Sequence, residues 1–461
     1  MEGAKEMQKE KKKGKVGALK FFSWNLRGMS TAVQVVMIGY ITFYCTEVLQ
    51  LNAALVATLL FASKIVDAVT DLMAGYLIDR THTKLGKGRP YELALIGLWV
   101  TTWLSFSVPT QFSTAVKCVW VVVCYILAQS IFNTLLAANQ TAYMVRAFND
   151  QDAYVTLSSL GGLITVLGVI IFNVVYPGMM ANAGKDASAW SRMVLMIAAP
   201  LCIIGLMRFF FVPEKYDVDA GTDPVRFQDV LTLLKTNRFI YIIAAVSLVN
   251  NFSAGLGVSV YYYTYIVKNL GIMGIMSLFT VVSMLTLTVY PVLLKKITVR
   301  QLIQLGLLFS VAGGILNFVA KDNIILLGIA SLVGGIGSLP ISMMLNLLII
   351  ECADFNEWKG RQRMEGTLGA VNGFSAKLGS ALGTFLCGIL LSAAGYVGGA
   401  AVQTESALHM IRALFGLVPA AFFLALFLLM NLYKLDRMMP QIRKENEERH
   451  AAQAEGVQTA Q

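Results

Sequence analysis

Charge is scarce in this chain. Of its 461 residues, 14% are charged and 56% hydrophobic, and the mean hydropathy is +0.65. A soluble domain ordinarily carries about 25% charged residues, so this composition excludes a soluble globular protein and indicates a polytopic membrane protein. Histidine is nearly absent. His82, His409 and His450 are the three present, and none stands beside a nucleophile motif, which argues against an enzyme. The six cysteines are scattered, mostly through apolar runs, with no CxxC and no Cys/His cluster. That excludes a disulfide frame or a transition-metal site and leaves them as small apolar packing residues. No cofactor is implied.

Long hydrophobic runs are what the chain has instead. A membrane-spanning helix needs about 20 apolar residues. Twelve candidate spans meet that need, at 27–49, 53–78, 91–109, 115–138, 155–177, 191–212, 239–266, 272–294, 300–320, 323–350, 366–394 and 407–433. The first comes after a basic N-terminus, KEKKKGK, and is too long for a leader's apolar core, so it reads as a span. The net charge of +10 sits at segment ends, where it reads as topology rather than nucleic-acid binding. Lys and Arg crowd the N-terminal tail and the loops after spans 2, 8 and 10, while the loop after span 1 (EVLQLN) has none. The positive-inside rule then places both termini in the cytoplasm of a multi-pass protein of the cell membrane.

The expected organisation is a basic tail (1–26), a six-helix bundle (27–212), a polar linker (213–238), a second six-helix bundle (239–433) and a C-terminal tail (434–461). Two six-helix bundles are the all-α architecture of the major-facilitator fold. FQDVLTLLK in the linker reads as a short interfacial helix, and the tail RKENEERHAAQAEGVQTAQ as a frayed helix or disordered, with no role.

The few charges inside the spans carry the chemistry. Lys64, Asp67 and Asp71 share one helix face at i, i+3 and i+7, and Asp67 lies roughly 18 Å from the end of its span at 1.5 Å per residue. A charge near the bilayer centre costs about 2.5–3.5 kcal/mol, so this face must look onto a polar cavity or a partner. Two carboxylates one turn apart repel, and a proton or a small monovalent cation between them relieves that; hard oxygen ligands suit Na⁺. A buried Lys–Asp bridge that only fixes packing needs one carboxylate, and here there are two. In span 11, Lys377 lies at a comparable depth, roughly 16 Å in, among Gly and Ser residues that permit close helix approach. Softer signals are Tyr125, Gln129 and Asn133 on one face of span 4, Asn139, Gln140 and Tyr143 beyond them, and Asn250, Asn251 and the tyrosines 261–263 and 265 in span 7. Each of these suits either sugar contact or interhelical hydrogen bonding.

Two stretches carry a family resemblance. DAVTDLMAGYLIDRTHTKLGKGRP (67–90) and ADFNEWKGRQRMEGTLGAVNGFSAKLGSALG (353–383) resemble the signatures of the glycoside–pentoside–hexuronide:cation symporters, the group that includes the melibiose permease. The resemblance implies a major-facilitator fold. It also implies that Asp67 and Asp71, with Thr70 between them, take part in coupling to H⁺ or Na⁺, and that Lys377 joins the coupling and sugar sites. A cytoplasmic gate would be formed by Asp79, Arg89, Asp354, Arg363 and Glu365. The sugar-binding positions depart from the melibiose pattern: Thr31 and Gln129 stand where acids hold galactosyl hydroxyls, and Asn133 stands for a stacking tryptophan, while Tyr125 is retained. Ile126 aligns with a cation-coordinating threonine, and this loss of a ligand favours H⁺ over Na⁺.

The expectation is a monomeric secondary transporter that carries a sugar, glycoside or hexuronide with a cation by alternating access; the less negative pocket favours an anionic sugar. The alternatives are a major-facilitator transporter of a non-sugar amphiphile such as a lysolipid, and a non-transporting membrane sensor.

Overall fold

Hydrocarbon offers backbone groups no water, so a chain of this hydropathy must satisfy its peptide bonds inside helices. The computed structural model describes residues 16–81, 83–148, 151–215, 237–361 and 363–458, and these are helical with short connections and no named strand. Ten helical segments are long and apolar enough to cross a membrane, from Ala18–Glu47 to Glu405–Leu432. The two other expected spans are helical as well. One is α3 (Ala53–Arg80), which carries the intramembrane acids. The other is a 3₁₀ turn, Arg89–Leu93, running into α4 (Ala94–Ser105). The linker residues 216–236, including the expected interfacial helix, lie outside the described residues.

The chain divides into two units. The first is Met1–Thr222 with the pieces Asn269–Gly274 and Gly388–Gln403; the second is Asp223–Lys268, Ile275–Cys387 and Thr404–Gln461. In the first, α1 (Ala18–Ile38) and α2 (Ile41–Glu47) form a span interrupted at Gly39–Tyr40. After α3 and α4 come α5 (Thr114–Ile126), a π-helical segment Leu127–Asn133, α6 (Thr134–Phe148), α7 (Gln151–Ala183) and α8 (Ala187–Phe211). Polar side chains close the helix starts where apolar ones could not. Asn52 accepts from the amides of Ala54 and Leu55 at 3.0 and 3.1 Å, satisfying donors that would otherwise be orphaned. On α7, Leu163, Leu167, Ile171 and Val175 form an exposed apolar stripe at one-turn spacing, as a lipid-facing surface requires.

Three buried charges tie the first unit together. Glu92 accepts from Arg27 Nε at 3.0 Å and pairs with Arg208 at 3.8 Å, and all three side chains are at most 5% exposed. Gln140 accepts from Arg208 at 2.7 Å, Asn139 donates to Glu92 at 3.1 Å, and Arg27 donates to the Leu136 carbonyl at 2.6 Å. The Arg208 guanidinium lies 3.2 Å over the Trp24 ring. Asn139 and Gln140 are therefore spent on interhelical bonding.

The second unit contains α9 (Ile240–Gly255), α10 (Ser259–Tyr265), α11 (Gly271–Ser283), α12 (Tyr290–Leu293), α13 (Val299–Ala320), α14 (Ile324–Trp358), α15 (Glu365–Ala393), α16 (Glu405–Phe415), α17 (Leu417–Leu429) and α18 (Leu435–Gln458). Gly residues bring its helices close together: a Cβ on Gly306 of α13 would lie 2.6 Å from the Gly337 carbonyl of α14, the small-residue contact of membrane helices. Tyr261, Tyr262 and Tyr263 are core residues, at most 3% exposed. Tyr262 donates to the carbonyls of Asn317 and Lys321, so this aromatic run packs the unit.

The C-terminal tail departs from expectation. It is the helix α18, because Leu435, Met439, Ile442 and Asn446 make a stripe at turn spacing, each buried. Asn446 donates to the Asp354 carbonyl at 3.0 Å, Arg449 to the Trp358 carbonyl at 3.0 Å, and Trp358 to Glu445 at 2.6 Å. The polar composition concealed a four-residue buried face that suffices for docking.

Removing Glu92 leaves two buried guanidinium groups without their carboxylate. Glu92→Ala is expected to destabilise the detergent-solubilised protein by about 3–5 kcal/mol, read as a lowered thermal midpoint. An unchanged midpoint would show that the arginines do not depend on it.

Candidate functional site

The expected acids come together with partners from a neighbouring helix. Asp67 is buried, at 5% exposure, and its carboxylate stands 3.9 Å from Lys64 Nζ one turn back on α3. Lys64 also lies 5.6 Å from the Tyr125 ring centroid on α5, a cation–π distance. Asp71, one turn further along, is exposed.

Thr134 joins the two carboxylates. Its hydroxyl lies 3.1 Å from Asp71 Oδ1 and 3.5 Å from Asp67 Oδ1. This residue was not anticipated, because nine positions in an α-helix are two and a half turns, which would put Thr134 opposite Tyr125. The π-helical segment Leu127–Asn133 lies between them. Its i→i+5 bonding holds more residues per turn and re-aims the side chains beyond it; such segments are frequent at functional sites. The hydroxyl also lies 3.3 Å from the Gln129 carbonyl, five residues back. Residue-by-residue alignment sees only Ile126 and misses this threonine. Thr70 donates instead to its own helix, at the carbonyls of Asp67 and Val66, 3.0 and 3.1 Å away.

The expected sugar-contact residues of this unit form a chain of amides. Asn133 donates to Gln129 at 3.5 Å, Gln129 to Gln34 at 3.3 Å, and Gln34 to Thr102 at 2.7 Å. Thr31 bonds its own helix, at the carbonyls of Gly28 and Arg27. Lys377 belongs to the second unit, on α15, and its side chain is exposed.

Of the expected gate residues, Asp354 and Arg363 pair at 2.9 Å, and Arg363 also reaches Glu357 at 2.6 Å. Arg443 of α18 lies 3.8 Å from Asp354, so the C-terminal helix stands on this pair. Arg89 is held within its own unit: it donates to the Phe209 carbonyl at 2.8 Å, and its amide, with those of Lys87 and Gly88, donates to Glu214 at 2.5–2.9 Å. The side chains of Asp79 and Glu365 lie outside those described. Among the described residues no group of three His, Cys, Asp or Glu side chains could hold a metal ion.

Residues 29–437 match the family of MFS/sugar transport proteins. The chain belongs to that family. A similar relative is the isoprimeverose transporter of Lactiplantibacillus pentosus, 28% identical over 93% of this chain and 91% of its own length. A putative glycoside/cation symporter of Escherichia coli is 24% identical over 91% of this chain and 92% of its own. The nucleoside transporter NupG superposes with a TM-score of 0.63 at 14% identity, over 91% of this chain and 100% of its own, a likeness of fold alone. The resemblance read from the two signature stretches therefore holds. This major-facilitator protein is a sugar transporter and not an enzyme.

These contacts generate two predictions. Thr134→Ala is expected to weaken cation dependence of transport by about tenfold or more, the scale of one lost charge-assisted hydrogen bond or ligand, with Thr134→Ser close to normal; equal behaviour of the two variants would remove the hydroxyl from the site. The second concerns pH. Donation by the Gln441 amide and the Trp358 indole holds Glu445 below the ordinary glutamate range. A depressed carboxylate stabilises the fold above its unfolded value and loses that contribution as pH falls through the folded one. The docking of α18 is thus expected to hold at neutral pH and to loosen only below about pH 4.3, the usual glutamate value. Trp358 fluorescence reports it, and Glu445→Gln should flatten the change.

Proposed function

We propose that the protein is a cation-coupled symporter of a sugar or glycoside that works by alternating access, with the cation held at Asp67 and Asp71. The observation that carries this reading is the Thr134 hydroxyl within 3.5 Å of both carboxylates. With it, two anionic oxygens and a neutral one meet on one face inside the first unit, the hard donor set that suits a small monovalent ion. The apparent loss of a threonine ligand had favoured the proton. Thr134 supplies a hydroxyl at the same pair, so Na⁺ is the ion to test first, with H⁺ beside it.

The named activities of relatives support the sugar. One relative is an isoprimeverose transporter and another a putative glycoside/cation symporter. In the proposed cycle the cation neutralises the acid pair, Gln129 and Asn133 of the first unit contact the sugar, Lys377 of the second takes part in coupling, and access alternates between the two sides of the membrane. Coupling is reciprocal, so the cation raises sugar affinity by the factor by which the sugar raises cation affinity. Asp354 and Arg363 act as a gate pair braced by α18, and the basic loops place both termini in the cytoplasm.

The test is uptake into proteoliposomes of labelled neutral glycosides and hexuronides, driven in turn by a Na⁺ gradient and a pH gradient. Accumulation under one gradient, abolished by Asp71→Cys and by Lys377→Ala, is expected. Accumulation that survives both substitutions, or that tracks neither gradient, would refute coupling at these residues.

A further inference from the structure

The second unit contains a cavity of about 490 Å³ that includes none of Asp67, Asp71, Lys377 or the gate pair. Its wall carries seven polar side chains, among them Asn250, Ser253, Asn317, Ser338 and Ser342, and no charged one. Two aromatic faces, Phe415 and Phe423, complete it. The volume falls in the range of about 300–1,000 Å³ typical of ligand pockets.

Two spans are broken where they meet it. The span of α9 and α10 loses its helix at Leu256–Val258, with Gly257 in the left-handed region at φ +58°. The span of α16 and α17 is interrupted at Gly416, next to Phe415. Irregular backbone at membrane depth persists only where it is buried in protein or lines a cavity that satisfies it. One freed carbonyl, that of Gly255, accepts from Thr384 at 2.8 Å. The remaining need for polar partners falls on the wall, whose serines and asparagines suit an occupant with hydroxyls.

We infer that this cavity is a binding subsite for the pyranose ring of a neutral glycoside. Serine hydroxyls and asparagine amides both donate and accept, as sugar hydroxyls do, and the phenyl faces suit the C–H face of the ring. A uronate would bring a carboxylate with no cation to meet it, at the cost of a buried unpaired charge. The inference rests on the sugar reading but not on cation coupling, and it reverses the preference for an anionic sugar drawn from the sequence.

Peptide-resolved alkylation of full-length Ser338→Cys tests it, with methyl β-D-xyloside and methyl β-D-glucuronide as probes. Xyloside is expected to slow alkylation at position 338 by one plus the ratio of its concentration to its Kd, about tenfold near saturation, and glucuronide to leave it unchanged. Gly334→Leu should abolish the protection: a Cβ at Gly334 meets nothing within 4 Å, so the side chain can fill the cavity. Protection should persist in an Asp71→Asn background once xyloside is raised to offset the affinity lost with coupling, even where uptake is lost. A thiol at 338 that no reagent reaches, or that xyloside does not protect, overturns the subsite. Protection unaffected by Gly334→Leu does the same, and so does protection that no xyloside concentration restores in Asp71→Asn. Equal protection by glucuronide overturns the neutral class. The Ser338→Cys result stands without the filling variant should that variant fold poorly.

Discussion

A charge inside a membrane protein needs a partner, and the rest of this structure is arranged around that need. It is met in two different ways. At Glu92, two guanidinium groups close on one carboxylate, and amides, carbonyls and an aromatic ring surround them. Such a cluster carries one positive charge in excess, held among neutral acceptors, and welds helices together. At Asp67 and Asp71 the balance is inverted: two carboxylates share one hydroxyl, and one ammonium stands 3.9 Å from the nearer of them. With the acids ionised, these three charged side chains carry one negative charge in excess, which a single monovalent cation would cancel. The same electrostatics thus distinguishes the two clusters, and the sign of the excess charge draws the line: only the second would attract a cation.

How the hydroxyl reaches that pair is a question of helix geometry. A regular α-helix through 114–148 would direct Thr134 away from the face that bears Tyr125. The π turn is what brings both onto α3, at the cost of locally weaker backbone bonding. A second consequence is that Gln129 and Asn133, inside the π turn, line up with Gln34 and Thr102 as a polar ladder instead of projecting independently. Such a ladder ties α1 and α4 to the π segment through alternating donors and acceptors.

Much of this was legible in the sequence. Helical class and family came from hydropathy and two motifs, and the pair Asp67/Asp71 from the rarity of intramembrane acids. Arg27, Glu92 and Arg208 obey the same rule of rarity but sit near span ends, where a charge draws no notice. Thr134 was hidden because spacing arguments assume 3.6 residues per turn. The docking of α18 was hidden because composition averages over its sparse face; only the positions of Leu435, Met439, Ile442 and Asn446, and not their number, make it amphipathic. The tyrosines of α10 misled in the other direction, since an aromatic run suits a sugar and a core equally well until the burial of each ring is known.

Broken helices connect these points. The spans interrupted at Gly39–Tyr40, in the π turn, at Leu256–Val258 and at Gly416 give up backbone hydrogen bonds in a medium that does not replace them. In the last three cases the loss falls beside a polar constellation: the acid pair, or the neutral cavity of the second unit. In these three cases irregular backbone and polar wall occur together; at Gly39–Tyr40 they do not. On the two readings proposed above, a charged ion site and an uncharged sugar site stand in different units of one chain. A uronate-binding cavity would need a cation at its wall, and the cavity bounded by Asn250, Ser310 and Ser338 has none.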